Sequence, residues 1–236
     1  VLEAFSRERR QMTLAEVARV VDLPRATVRR ALHTLVHLRH VESDGRRFRL
    51  TPPVLRLAAG YLASNGVSNI LQPLCERLSP QTGQPCSAAV LDGAEIVFIA
   101  YGQPGRMAQV TTMVGWRLPA FCTALGRVLL GGLDEPALEA CLVALPPMAI
   151  TPHTETRPKR LRALVAQSRS EGFALVEEEA ELGFRSLAVP LRRYDGRVLA
   201  ALNIGMHTAH GTAEHLRTHV LPMLQAEASA VSAQLV

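Results

Sequence analysis

The sequence predicts an α+β chain: a small helical head closed by a hairpin, a connecting helix, and a larger antiparallel sheet flanked by helices. Three observations carry this. Apolar residues recur at three- and four-residue spacing between residues 13 and 38, the period of a half-buried helix. Asp-Gly pairs at Asp44-Gly45, Asp92-Gly93 and Asp195-Gly196 separate stretches of strand-like composition, a hairpin signal. Hairpin-linked strands lying between helical segments then make an antiparallel sheet with helical cover.

With 236 residues, 48% of them hydrophobic and 20% charged, the chain is long enough for two domains and has globular composition. No run of eighteen uninterrupted apolar residues occurs, so no membrane span is expected. The N-terminus lacks the basic, apolar and small-residue order of a secretory signal, and a cytoplasmic location is expected. "VLEAFS" places Val1, Leu2 and Phe5 at helical spacing without a starting Met, so residues ahead of Val1 are expected to be missing. Cys75, Cys86, Cys122 and Cys141 form no C-x-x-C pair and read as reduced, mostly buried thiols rather than a zinc or disulfide framework.

Charge is unevenly placed. Residues 1–56 hold twelve arginines against six acids, a balance of +6; the whole chain is +5, which leaves −1 for residues 57–236. A basic head on a near-neutral body suggests a polyanion partner for the head, although a solvated charged surface would look the same by charge alone.

Thr13 with Glu16 three residues on is a capping-box pattern, followed by a stripe of Leu14, Val17, Ala18 and Val21. After a turn at Asp22-Leu23, Pro24 suits the first position of a second helix. On that helix Val28, Ala31, Leu32, Leu35 and Leu38 face inward, leaving Arg25, Ala26, Thr27, Arg29, Arg30 and His33 outside. This is the layout of a helix-turn-helix, whose second helix enters the major groove and reads bases from its N-terminal half. Guanidinium groups bind guanine bidentately or grip phosphate. "VESDGRRFRLT" reads as strand, turn and strand, a basic wing carrying Arg46 and Arg47 to the backbone of double-stranded DNA.

"TLAEVARVVDLPRATVRRALHTLVHLRHVESDGRRFRLTPPVLRLA" resembles the winged head of the IclR family of bacterial transcriptional regulators. "GWRLPAFCTALGRVLL" (115–130), "EGFALVEEEAELGFRSLAVPL" (171–191) and "GRVLAALNIG" (196–205) extend the resemblance through the rest of the chain. It implies residues 1–51 as a winged helix-turn-helix domain, 52–66 as a linker helix and 67–236 as a GAF- or profilin-like effector-binding domain. The linker stripe of Val54, Leu57, Ala58, Tyr61 and Leu62 is read as core or, as the resemblance favours, as contact between two copies. The family implies a homodimer, with a dimer of dimers as a further assembly.

In the body the expected elements are a helix over 67–79 interrupted by Pro73, strands around Asp92-Gly93, a strand near 107–114 and a helix capped by Thr123. Helices near 134–144 and 157–171, three strands from "GFALVEE" to "RVLAALNIGM", and a long helix over 213–235 follow. The resemblance makes the turn before residue 124 one wall of an effector pocket. Amides of Thr123, Ala124, Leu125 and Gly126 at a helix start would suit a carboxylate, although Thr123 capping its own helix explains the same pattern. Where family members that bind small keto acids carry an Asp, this chain has Val176. Asn203 and Gly205 stand where those members have serines, and Ser186 where they have a small polar or thiol side chain. Fewer polar groups suit a larger, flatter, more apolar ligand. Trp116, Phe121, Tyr101 and Met107 are candidate lining residues, with simple core as the alternative for any single aromatic, and Arg185 is a candidate counter-charge unless its strand position turns it outward.

The subgroup most similar by eye comprises regulators of aromatic-acid catabolism by the β-ketoadipate pathway. The resemblance therefore implies a small carboxylate effector such as 4-hydroxybenzoate or protocatechuate; a non-aromatic keto or dicarboxylic acid is the other reading. No cofactor or metal is expected: in "HTAHGTAEHLRTH" His215 and His219 lie at i, i+4, but without a Glu-x-x-His context or nearby cysteine they read as solvated or capping, as do His207 and His210. The acidic run Glu177–Glu181 reads as a solvated loop, and no G-x-S-x-G, phosphate-loop or dinucleotide pattern occurs. An enzyme or carrier with a DNA-docking head, and a structural DNA binder, are the competing classes.

Overall fold

The computed structural model describes all residues except Arg7, Asn65, residues 106–112 and Val236. It divides into two compact units, Val1–Ser64 and Asn65–Val236.

In the first unit a single 3-10 turn, Leu2–Ala4, stands where a helix was expected. Strand β1 (Met12–Thr13) leads into α1 (Leu14–Val20), then α2 (Arg25–His37), β2 (Val41–Ser43) and β3 (Arg47–Leu50). The strands pair in the order β1-β3-β2. The capping box at α1 forms: Thr13 accepts the Glu16 amide, and the Glu16 carboxylate accepts the Thr13 amide at 2.7 Å. The Thr13 amide and hydroxyl, both donating to it, hold the Glu16 carboxyl below its ordinary pKa. Asp22, at φ +48°, turns the chain out of α1. Pro24 takes the cap position, one residue ahead of its expected place, so Arg25 opens α2. Val17, Ala18, Val28, Leu32 and Val41 form the core. Leu38, expected inside, is 51% exposed because it lies just beyond the end of α2. A 3-10 turn (Pro52–Val54) then leads into α3 (Leu55–Ser64), none of whose residues is buried.

The second unit begins with α4 (Gly66–Thr82), which runs on through Pro73. Proline removes one helical hydrogen bond there. Burial of Leu71 on one side and Leu74, Cys75 and Leu78 on the other holds both halves against the sheet. The sheet comprises β4 (Cys86–Asp92), β5 (Glu95–Gly102), β6 (Arg117–Pro119), β7 (Ala174–Glu177), β8 (Phe184–Arg192) and β9 (Val198–His207). Their order is β6-β5-β4-β9-β8-β7, and every pairing is antiparallel. Most of the strand expected near 107–114, and Met107 with it, lies outside the described residues. Edge strand β6 was not foreseen, because three residues are too few to display alternation.

Helices α5 (Ala124–Gly131), α6 (Glu135–Ala144) and α7 (Pro158–Glu171) fall close to their expected places. The C-terminal helix is not uniform: α8 (Ala213–His215) passes through a π-helical stretch, Leu216–Val220, into α9 (Leu221–Ser232). The widened turn sits just before Pro222, which has no amide to donate.

Strand alternation sorts side chains into two cores. Leu187, Val189, Leu202 and Ile204 pack with α4 and α9 on one face. Ala188 and Ala201 point to the other face and pack with Leu125, Val128 and Val165 of α5 and α7. Ser186, Asn203 and Gly205 share the parity of this second set, and they lie near the start of α5, where the helical cover gives way to a cavity.

Candidate functional site

On α2 the side chains divide as the period requires. Val28 and Leu32 are buried; Arg25, Ala26, Arg29, Arg30 and His33 are exposed, and Thr27 is half-buried. At the wing tip Asp44 Oδ1 accepts the amides of Arg46 (2.8 Å) and Arg47 (2.6 Å), with Gly45 at φ +94°. These donors fix the loop, depress the Asp44 pKa, and leave Arg46 and Arg47 exposed. Arg49, in the next strand, pairs with Glu42 instead. The first unit thus presents a row of unburied cations on one helix and a braced basic loop, the chemistry that contacts phosphate and base edges.

In the second unit a cavity of about 310 Å³ lies over β4, β5, β8 and β9. Its floor follows from register. Val176, Ser186 and Gly205 stand opposite one another across β7, β8 and β9, while Tyr101, Ser87 and Asn203 form a second row across β5, β4 and β9. All six line the cavity. Ser87 donates to Asn203 Oδ1 at 2.5 Å, and both side chains are buried. Gly205 admits Phe184: a Cβ on it would lie 2.3 Å from Cζ of that ring. Phe98, Leu118 and Phe184 supply apolar wall, and Trp116, 48% exposed, stands at the rim.

Thr123 and Leu125 line the cavity; Ala124 and Gly126 do not. The expected cradle of four amides is therefore reduced. Thr123 N–H donates to the Ala120 carbonyl at 3.4 Å, and Gly126 N–H to Thr123 Oγ1 at 3.0 Å. Gly126 serves packing: a Cβ there would come within 2.0 Å of the Ala120 oxygen. Phe121 packs away from the cavity with Leu161. Arg185 is also diverted, donating to the Gly211 carbonyl at 2.6 Å and pairing with Glu177 at 3.0 Å.

The acidic run departs most from its reading as a solvated loop: Glu178, Glu179 and Glu181 line the cavity. Glu179 Oε2 accepts from Arg127 at 2.7 Å and from the Glu155 amide at 3.1 Å. Hydroxyls of Thr151 and Thr154 hold the carbonyls of Glu178 and Glu179 at 2.6 Å each. Cys122, also on the wall, has its thiol pushed up to about 12 by burial and then by the Glu179 carboxylate, so it is a neutral group at physiological pH. Burial raises Tyr101 in the same direction. Sequence spacing gave no hint of Glu179 because its partner lies 52 positions away. Among the described residues no group of three metal-ligating side chains forms; His215 and His219 stack on each other, ring centres 4.8 Å apart.

Comparison with known proteins decides the family. The model of the IclR helix-turn-helix domain matches residues 1–45, and that of the bacterial transcriptional regulator IclR C-terminal domain matches residues 59–233. The chain belongs to the IclR family of transcriptional regulators. The Pca regulon regulatory protein of Pseudomonas putida is 39% identical over 236 residues, covering 100% of this chain and 81% of that one. The p-hydroxybenzoate hydroxylase transcriptional activator of Acinetobacter baylyi is 32% identical over 230 residues, covering 95% and 85%. A solved Acinetobacter PobR inducer-binding domain, a double mutant in complex with 3-hydroxybenzoic acid, is 30% identical at a TM-score of 0.65, covering 69% of this chain and 95% of that one. This IclR-family chain is accordingly a DNA-binding regulator and not an enzyme. Among its described residues no helix is long and apolar enough to cross a membrane.

Proposed function

We propose that this regulator senses a small aromatic carboxylate, such as 4-hydroxybenzoate or protocatechuate, in the cavity above β8 and β9, and that occupancy alters operator binding by α2 and the wing. The observation that carries the reading is the cavity itself. Phe98, Trp116 and Phe184 offer ring-sized apolar surface, and Ser87, Ser186 and Asn203 offer hydrogen bonds from the floor. Relatives named for the Pca regulon and p-hydroxybenzoate hydroxylase, and a relative's complex with a hydroxybenzoic acid, support it. A small dicarboxylic acid is the weaker reading, because its second carboxylate would meet Glu178 and Glu181 on the wall.

Residues 1–51, 52–66 and 67–236 act as DNA-binding head, linker and sensor. Trp116, Thr123, Leu125, Val176, Ser186, Asn203 and Gly205 contact the ligand. Arg25, Ala26, Thr27, Arg29, Arg30, His33, Arg46 and Arg47 face DNA. Two copies pair through α3, whose Leu55 and Leu57 are 67% and 53% exposed, placing two recognition helices on the half-sites of a pseudo-palindrome. A ligand moves such an equilibrium only by binding one state more tightly.

Calorimetry of the full chain with 4-hydroxybenzoate, protocatechuate, pyruvate and glyoxylate tests the ligand class. Heat with the keto acids alone overturns it. Arg29→Ala or Arg30→Ala should weaken operator binding about tenfold or more if the residue reads a base, and binding should fall steeply with salt. Gel shifts of both variants matching wild type would remove α2 as the reading face.

A further inference from the structure

Arg127 lies one turn into α5, is 4% exposed, and its guanidinium pairs with Glu179 on the cavity wall. Its Nε donates to the Phe121 carbonyl at 3.2 Å and its Nη2 to Glu179 at 2.7 Å. The guanidinium thus spans from the Phe121 carbonyl, next to the cavity-lining Cys122, to the cavity-lining Glu179. An ion pair this deep interacts strongly with any third charge nearby, because little water screens it. While Glu179 holds Arg127, the cavity meets a neutral pair; without Glu179 it would meet a cation.

We infer that Glu179 sets the charge selectivity of the cavity: its carboxylate competes with a ligand carboxylate for Arg127, and so tunes how strongly an acid is preferred over its neutral analogue. The inference rests on the aromatic-acid reading. It differs from a merely structural pair in one measurable respect. A structural pair, when broken, weakens all ligands alike; a competing carboxylate, when removed, favours the charged ligand over the neutral one.

The probes are 4-hydroxybenzoate and 4-hydroxybenzamide, titrated into the full chain at neutral pH and low salt. Glu179→Gln should raise the acid-to-amide affinity ratio at least tenfold. Arg127→Gln should lower it by a similar factor. Because that variant strands a buried carboxylate and can fail to fold, the double variant Arg127→Gln/Glu179→Gln provides a neutral pair whose ratio should lie between those of the single variants. A ratio within about twofold of wild type in Glu179→Gln overturns the inference while leaving the aromatic-acid reading intact. Wild-type protein that binds neither probe overturns both.

Discussion

The hydroxyl of Ser87 donates to the side-chain oxygen of Asn203 at 2.5 Å, across the β4–β9 pair in which the two residues stand directly opposite. Both are buried on the cavity floor. Ser87→Ala should cost about 1–3 kcal/mol of stability, the range for leaving a buried polar group without its partner. It should also weaken 4-hydroxybenzoate binding. Urea unfolding followed by circular dichroism checks the first effect and calorimetry the second. Unchanged values in both would mean that Asn203 finds another donor.

Gly126 tests packing against propensity. Alanine is the better helix former by about 1 kcal/mol. Yet its Cβ would sit 2.0 Å from the Ala120 oxygen in the 3-10 turn Ala120–Cys122 that precedes α5. Backbone cannot yield as a side-chain tip can, so Gly126→Ala should destabilise by at least about 1–3 kcal/mol. A rise in the unfolding midpoint would show that α5 is free to move off this turn.

Gly205 offers the contrasting case. Its added Cβ would meet the far end of a side chain, Phe184 Cζ, at 2.3 Å. The ring can turn away, and the space open to it is the cavity. Gly205→Ala should therefore cost little stability and much ligand affinity, about tenfold, read as a shift in the binding isotherm at an almost unchanged melting temperature. Retained affinity would take the Phe184 ring out of the binding wall.

Cys122 predicts a pH dependence. Burial and Glu179 push its thiol from an ordinary 9.0 up to about 12 in the folded chain. The folded state therefore binds the proton more tightly than the unfolded state. The stability linked to this thiol is fully present below about pH 9 and is lost as pH rises from there toward about 12. Cys122→Ala should lose less stability than wild type between pH 8 and pH 10.5 in parallel urea titrations. Equal losses would mean that the thiol titrates near its ordinary value. At pH 7 the native thiol should also resist iodoacetamide.

The helix-turn-helix was legible because its signals are local: a capping box within four residues, an apolar stripe on α2, an Asp-Gly turn. Strand β6 and the loss of Leu38 to solvent were not, since one is too short for a period and the other depends on where α2 stops. Val176, Ser186, Asn203 and Gly205 were expected through resemblance to a known pattern; the first two and Gly205 share one register row and Asn203 lies on the next, all of them lining the cavity. Phe121 took its core alternative rather than the cavity, and Glu178, Glu179 and Glu181 of the acidic run line the cavity although the run read as solvated. Neither carries a local signature of which way it faces.

By itself the sequence determined the main helices, the basic head and the Asp-Gly hairpins, all of which depend on neighbours a few residues apart. Tertiary structure alone decided which carboxylates line the cavity, which amides at the start of α5 are already taken, and that Arg127 is buried against Glu179. Those outcomes turn on contacts between segments far apart in the chain, where burial fixes the strength of each charge and hydrogen bond.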